Sequence, residues 1–195
     1  NYRYFPITLD GFKIVLFDTG VRHSLAFGEY NLRRVQCEEG VSFLQKKYSF
    51  IKSLRNVTNE MLQNDLKGKV SEIVYNRCRY VVEEIQRVTE GCDDLERNDL
   101  AAFGRKMFQT HQGLSNLYEV SCKELDFLVD FAKHEPAIAG ARMMGGGFGG
   151  CTINIIKENA IEDIYARISV AYENTFGLEL KMYEMTTQSG ASVIK

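Results

Sequence analysis

The chain has 195 residues, of which 45% are hydrophobic, and its 24 basic and 26 acidic side chains leave a formal net charge of −2. This length and apolar content suffice for a substantial core and argue against disorder, and the near-neutral charge argues against a nucleic-acid partner or an anionic membrane surface. Because no apolar run approaches about 20 residues and no leader pattern is present, we expect a soluble, cytoplasmic protein.

A β-hairpin is predicted at the start of the chain. Residues 2–9 and 12–17 are rich in aromatic and β-branched side chains, and Asp10-Gly11 between them is a turn signal. Because an isolated hairpin is rarely stable, we expect this one to belong to a larger sheet.

The middle of the chain has the periodicity of helices. A helix of about four turns is predicted from Gly28, with Tyr30, Cys37, Val41 and Leu44 on one face. Four more helices are predicted after it: a short one at 56–62, a long one from Ser71 to a stop at Gly91, one at 98–109, and one opened by the capping-box pattern Ser121-Cys-Lys-Glu124.

The stretch 140–150 departs furthest from an ordinary domain, since it holds six of the sixteen glycines. Glycine takes positive φ without a steric clash, so we predict a shaped loop between a strand at 137–143 and another at 152–156. A plain glycine-rich turn is the alternative interpretation, and the spacing matches neither the dinucleotide fingerprint nor the phosphate loop.

A further helix at 159–176, stopped by Gly177, and a half-exposed strand at 178–183 complete the pattern. Strands at both ends with helices between them predict an α+β fold, an α/β sandwich with the helices on one face of the sheet.

The cysteines and histidines predict no metal site or disulfide framework. The five cysteines are odd in number, widely spaced and without a Cys-x-x-Cys pair, and the three histidines lack ligand spacing. His111 and Cys151 are interpreted as core residues with satisfied polar groups.

Over nearly its whole length the sequence resembles the GHMP family of small-molecule kinases, and within that family the galactokinases. The stretch 140–151 is similar to the third conserved motif of these kinases. Three more segments, 21–38, 83–87 and 110–126, are similar to galactokinase signatures. Asp18-Thr19-Gly20 departs mildly from the family pattern, and so does Thr110, which replaces a serine.

The resemblance implies a ferredoxin-like GHMP kinase C-terminal domain at residues 21–195, with residues 1–20 as a hairpin from the end of the preceding lobe. The family's galactose signature, its ATP phosphate loop and its catalytic Asp have no counterpart here. We therefore expect the C-terminal half of a galactokinase, inactive alone, with the ligands of ATP and Mg²⁺ in the missing half. The exposed hairpin edge could then drive self-association.

The resemblance also implies site residues, none of them catalytic and none a metal ligand. Tyr30 matches the tyrosine that binds galactose, against the alternative of a core tyrosine. Arg22 and Ser24 match positions beside the nucleotide, against a surface Arg and a helix-capping Ser. The glycine loop, with Gly145, Gly146, Gly147, Gly149 and Gly150, would line and close the site. Arg33 and Arg34 are interpreted as structural, paired with Glu29 or Glu38 at helical spacing.

Three functions stay open at this point. The first is ATP-dependent phosphorylation of α-D-galactose at its 1-hydroxyl. The second is a catalytically silent galactokinase-like sensor that binds galactose and ATP and then a regulator. The third is a GHMP kinase for another sugar, such as N-acetylgalactosamine. The residues that would separate them are expected upstream of this sequence.

Overall fold

The computed structural model describes residues 3–22 and 26–186. The described residues form four strands, β1 (Phe12–Asp18), β2 (Ile138–Met143), β3 (Cys151–Lys157) and β4 (Lys181–Met185), and six α-helices. The helices are α1 (Ala26–Gln45), α2 (Asn59–Met61), α3 (Glu72–Glu96), α4 (Leu100–Asn116), α5 (Lys123–Lys133) and α6 (Ile161–Phe176). The predicted α+β class is confirmed.

The strands form one antiparallel sheet in the order β2-β3-β1-β4. β1 pairs with β3 from Phe12 opposite Lys157 to Asp18 opposite Cys151, and with β4 from Ile14 to Asp18. The long helical segment α1–α5 lies between β1 and β2. When this segment is counted as one helical unit, the elements follow the ferredoxin-like βαββαβ order.

The predicted N-terminal hairpin is wrong for the described residues. The turn is present, since the Phe12 amide donates to the Leu9 carbonyl over 2.8 Å and Gly11 has a φ of 72°. Residues 3–9, however, form no strand. β1 instead inserts between β3 and β4, where its side chains at Val15 and Phe17 are fully buried. β1 therefore has no free edge to pair with another copy, and a lobe boundary near residue 20 stays a prediction.

The two larger of three apolar cores hold most of the helices; the smallest core is formed by Val120, Leu125 and Met143. In the first, α5 and α6 cover one face of the sheet, and Val15, Phe17, Ile156, Ile164 and Tyr172 are buried between them. In the second, α1, α3 and the connection at 51–66 pack around apolar side chains that include Leu44, Leu66 and Cys78. The helical insertion thus has a core of its own beside the sheet.

Helix α4 joins the two cores by lying directly on β2. A Cβ atom added at Gly104 would lie 2.5 Å from the Ala139 carbonyl carbon, and closer still to its oxygen. Gly140 meets the backbone of Gly104 in the same way. Gly140 was grouped with the loop glycines in the sequence, but in the structure it allows the close contact between β2 and α4.

Helix ends were predicted with mixed success. Ser71 caps α3 by accepting the Val74 amide at 3.3 Å, and Gly177 ends α6 in the left-handed conformation, both as predicted. The predicted stop at Gly91 is wrong, because α3 continues to Glu96 and Gly91 instead lies against the Phe103 ring of α4.

The predicted capping box at Ser121 is also wrong. Helix α5 begins at Lys123 behind Cys122, and the Ser121 hydroxyl donates over 2.6 Å to the side chain of Asp126. The last strand begins at Lys181, three residues later than the start predicted for it at 178.

Candidate active site

The glycine loop, residues 144–150, connects β2 to β3 and confirms the predicted order of strand, glycine turn and strand. Four of its glycines have positive φ: Gly145 at 83°, Gly147 at 88°, Gly149 at 132° and Gly150 at 82°. Phe148 also has a positive φ, 60°, a conformation that costs an L-residue about 1–3 kcal/mol. The surrounding contacts must therefore hold the loop in this shape.

Two backbone anchors hold the loop. The Phe148 amide donates to the Val120 carbonyl over 2.7 Å, and the Gly150 amide donates to the Val21 carbonyl over 3.0 Å. Added Cβ atoms at Gly147 and Gly149 would lie 2.9 Å and 3.0 Å from those two carbonyl carbons. The loop is thus closely packed against the turn after α4 and the segment after β1, which a plain turn would not require.

Thr19 secures the second anchor. This buried residue donates to the Gly150 carbonyl with its amide over 3.0 Å and with its hydroxyl over 2.7 Å. Its own carbonyl accepts the hydroxyl of Tyr172 over 2.9 Å. In the sequence, Thr19 stood out only as part of a departure from the family pattern, and the role of Thr19 in anchoring the loop was not predicted.

Arg33 on α1 ties that helix to the turn after α4. Only 6% exposed, it donates through Nε to the Tyr118 carbonyl over 2.9 Å and through Nη2 to the Glu119 carbonyl over 2.8 Å. Its Nη1 donates to Glu29 over 2.7 Å, and the guanidinium lies 5.9 Å from the centre of the Phe148 ring. The predicted pairing with Glu29 is present, but most of the side chain's bonds reach another element.

Arg77 on α3 also contacts this turn. At 2% exposure, it donates to the Leu117 carbonyl and, over 2.6 Å, to the Glu119 carboxylate. This contact holds the pKa of Glu119 below its usual value. Glu119 itself has a positive φ of 52°, so two buried arginines stabilise a turn in an unfavourable conformation.

Tyr30 lies on the first turns of α1 with 57% of its surface exposed. Leu44, on the same predicted stripe, is 1% exposed, and Cys37 and Val41 pack against the second core. The core interpretation of Tyr30 is therefore wrong, and its ring and hydroxyl are accessible, three residues before Arg33.

Of the two positions predicted beside the nucleotide, one is described. Arg22 is exposed and makes no hydrogen bond or ion pair with other described residues. It directly follows Val21, which anchors Gly150, so it emerges beside the glycine loop. Ser24 lies outside the described residues.

His111 is buried and fully paired, as predicted. The Met143 amide donates to Nδ1 over 3.1 Å, so Nε2 carries the proton and donates to Asp126 over 3.0 Å. Asp126 also accepts the hydroxyls of Ser121 and Ser115. Burial opposes ionisation of Asp126, but these hydrogen bonds from His111, Ser121 and Ser115 outweigh it and hold the pKa of the carboxyl below its usual range.

The helix signatures behind the family resemblance contact one another. Thr110 donates to Glu84 over 2.8 Å, Arg87 pairs with Glu84, and the His111–Asp126 contact joins α4 to α5. These residues lock three helices together behind β2, so their role in the structure is support.

Within residues 3–22 and 26–186, no group of three His, Cys, Asp or Glu side chains could hold a metal ion. No helix in the same part of the chain is long and apolar enough to cross a membrane.

The comparisons with known proteins agree with this architecture. Residues 93–174 match the family model described as GHMP kinases C terminal. The whole chain is 42% identical over 194 residues to a galactokinase of Thermotoga neapolitana and 38% identical over 195 residues to one of Thermosipho africanus, and it covers 53% of each.

The structure also superposes on the crystal structure of Lactococcus lactis galactokinase complexed with galactose, with a TM-score of 0.87 and 28% identity. The match covers 92% of this chain and 46% of that one. The chain spans about half the length of the relatives it matches. Residues 93–174 are therefore similar to the C-terminal domain of the GHMP kinases, and the chain as a whole is similar to about half of each galactokinase that it matches.

Proposed function

We propose that the full-length protein containing this chain phosphorylates galactose with ATP as the donor, and that this chain supplies one wall of the site. The observation that carries the proposal is the continuous match to galactokinases, at 42% identity over 194 residues. The backbone agreement with a galactokinase complexed with galactose supports it.

Tyr30 is the residue we assign to the sugar. A sugar offers a C–H face and hydroxyls, and an exposed tyrosine offers a flat apolar ring and one polar group. Arg33, one turn further along α1, ties this helix to the carbonyls of Tyr118 and Glu119. These bonds fix the position of the helix, and with it the position of the Tyr30 hydroxyl that would bind the sugar. Such preorganisation reduces the entropy lost when substrate binds.

Arg22 and the glycine loop are assigned to the nucleotide side. The Arg22 guanidinium has no partner among the described residues and suits charge spread over phosphoryl oxygens. In the loop, the amides of Gly145, Gly146, Gly147 and Gly149 have no acceptor within the described residues. The loop would close the site against the phosphate-binding part of the full-length protein, and Ser24 stays a candidate beside it.

The described residues do not fit a Mg²⁺ site. The carboxylate nearest in sequence to the second anchor, Asp18, accepts the Gly20 amide over 2.9 Å and belongs to no metal-binding group. The proposal therefore leaves Mg²⁺ ligation to the half of the relatives that this chain does not span, and it expects the 195-residue chain to be inactive alone.

The test is steady-state ADP formation by the full-length protein with galactose, with N-acetylgalactosamine and without sugar. Galactose-dependent ADP release well above the other two supports the proposal. ADP release with N-acetylgalactosamine but not with galactose would show that the substrate is N-acetylgalactosamine. Galactose binding in calorimetry without ADP release would contradict the kinase and support the catalytically silent sensor.

A further inference from the structure

Arg33 connects the two parts of the proposed site. The helix that bears Tyr30 and the loop at Phe148 have no hydrogen bond to each other in the described chain, yet both contact the turn at 118–120. Arg33 binds the first two carbonyls of that turn, and the Phe148 amide binds the third. The guanidinium also lies over the Phe148 ring.

We propose that Arg33 is a positioning residue that sets the distance between the Tyr30 helix and the glycine loop, an inference that rests on the proposed function. The guanidinium has three nitrogens aimed at three different acceptors, so it can fix both orientation and distance. A lysine ammonium in the same place is a compact charge on a flexible stem, and it lacks the rigid fork that reaches both carbonyls and Glu29 in fixed directions. Charge alone would therefore not replace Arg33.

Its neighbour Arg34 provides a matched control. Arg34 also pairs with a glutamate four residues away, Glu38, at 2.9 Å, but its side chain is 70% exposed and, among the described residues, it donates a hydrogen bond to that carboxylate alone. The two arginines share a helix, a charge and a pairing pattern. They differ in the contact with the 118–120 turn and with Phe148, which is the contact the proposal concerns.

The experiment compares Arg33→Lys, Arg34→Lys and the parent in the full-length protein. For Arg33→Lys we expect galactose kcat/KM to fall at least tenfold, with a higher galactose KM because Tyr30 is displaced and a lower kcat because the loop is displaced. For Arg34→Lys we expect all constants to stay within twofold. Thermal unfolding shows that each variant is assayed well below its melting temperature.

Amide hydrogen exchange at Phe148 gives a readout that does not depend on activity. We expect it to be at least tenfold faster in Arg33→Lys than in Arg34→Lys, because the turn that accepts this amide has lost its support. Phe148→Leu, which keeps the amide and removes the ring, should give a smaller loss of kcat/KM that is not additive with Arg33→Lys.

The outcomes separate the two proposals. An inactive parent protein would defeat the proposed function, while the exchange comparison would still test the link. Unchanged kinetics and unchanged Phe148 exchange in Arg33→Lys would overturn the inference. So would a lower melting temperature with parental kinetic constants, because it would show a structural role only.

Discussion

The shape of the glycine loop rests on Gly147 in a way that two neighbouring substitutions can measure. Alanine at Gly147 would have to adopt a φ of 88°, which costs an L-residue roughly 1–2 kcal/mol. Its Cβ would also lie 2.9 Å from the Val120 carbonyl carbon and closer to the oxygen. Relief of that clash should break the hydrogen bond from Phe148, worth about 0.5–1.5 kcal/mol net.

These contributions sum to about 1.5–3.5 kcal/mol of lost stability for Gly147→Ala. For a chain of this length that loss corresponds to a melting temperature lower by roughly 3–14 °C. Gly146 is the control, since its φ is not positive and nothing lies within 4 Å of an added Cβ. Gly146→Ala should therefore change stability by no more than about 0.5 kcal/mol.

The assay is equilibrium urea unfolding of the two variants and the parent chain, followed by circular dichroism and by thermal melts. Equal midpoints for Gly146→Ala and Gly147→Ala would refute the reasoning, because the two substitutions add the same methyl group to the same loop and differ in backbone conformation and in the contacts with Val120 and Met143.

Other contacts of the fold and of the proposed site can be tested in three further ways. Gly104→Ala should destabilise the chain by about 1–3 kcal/mol in urea unfolding, because α4 would be pushed off β2, and an unchanged midpoint would contradict the close helix–strand contact. The lowered pKa of Asp126 means that its stabilising contribution is present above the unfolded value of about 3.9 and is lost as pH falls through the folded pKa. Asp126→Asn should therefore remove part of the acid dependence of stability, which unfolding at pH 2–6 measures, and identical pH profiles would argue against the His111–Asp126 network. In the full-length protein, Tyr30→Phe should fold normally and raise the galactose KM while leaving the ATP KM nearly unchanged, and an unaltered galactose KM and kcat would remove Tyr30 from the site.

Local patterns predicted most of the secondary structure because the apolar side chains that form the cores repeat at helix and strand spacing. The errors arose where a tertiary contact decides the outcome. Gly91 reads as a helix stop, but the Phe103 ring of the next helix lies against it and α3 continues. Ser121 was predicted to cap α5, but the Ser121 hydroxyl donates to the charged carboxylate of Asp126 instead, and α5 begins at Lys123.

The site was predicted less completely, for a physical reason. Tyr30 and the glycines carry a signal in their residue types, which the family resemblance located. The anchors of the loop are the backbone carbonyls of Val21 and Val120, and a carbonyl has no residue type to recognise. Arg33 was found as an i,i+4 partner of Glu29, but its bonds to the distant turn have no mark in the sequence.

A crystal structure of the full-length protein with bound galactose tests the central claim most directly. The account predicts that the sugar lies beside α1, with the Tyr30 hydroxyl within about 3 Å of a galactose hydroxyl. It also predicts that the glycine loop closes the same cavity from the nucleotide side. Galactose bound in a cavity that neither Tyr30 nor the glycine loop lines would contradict the account.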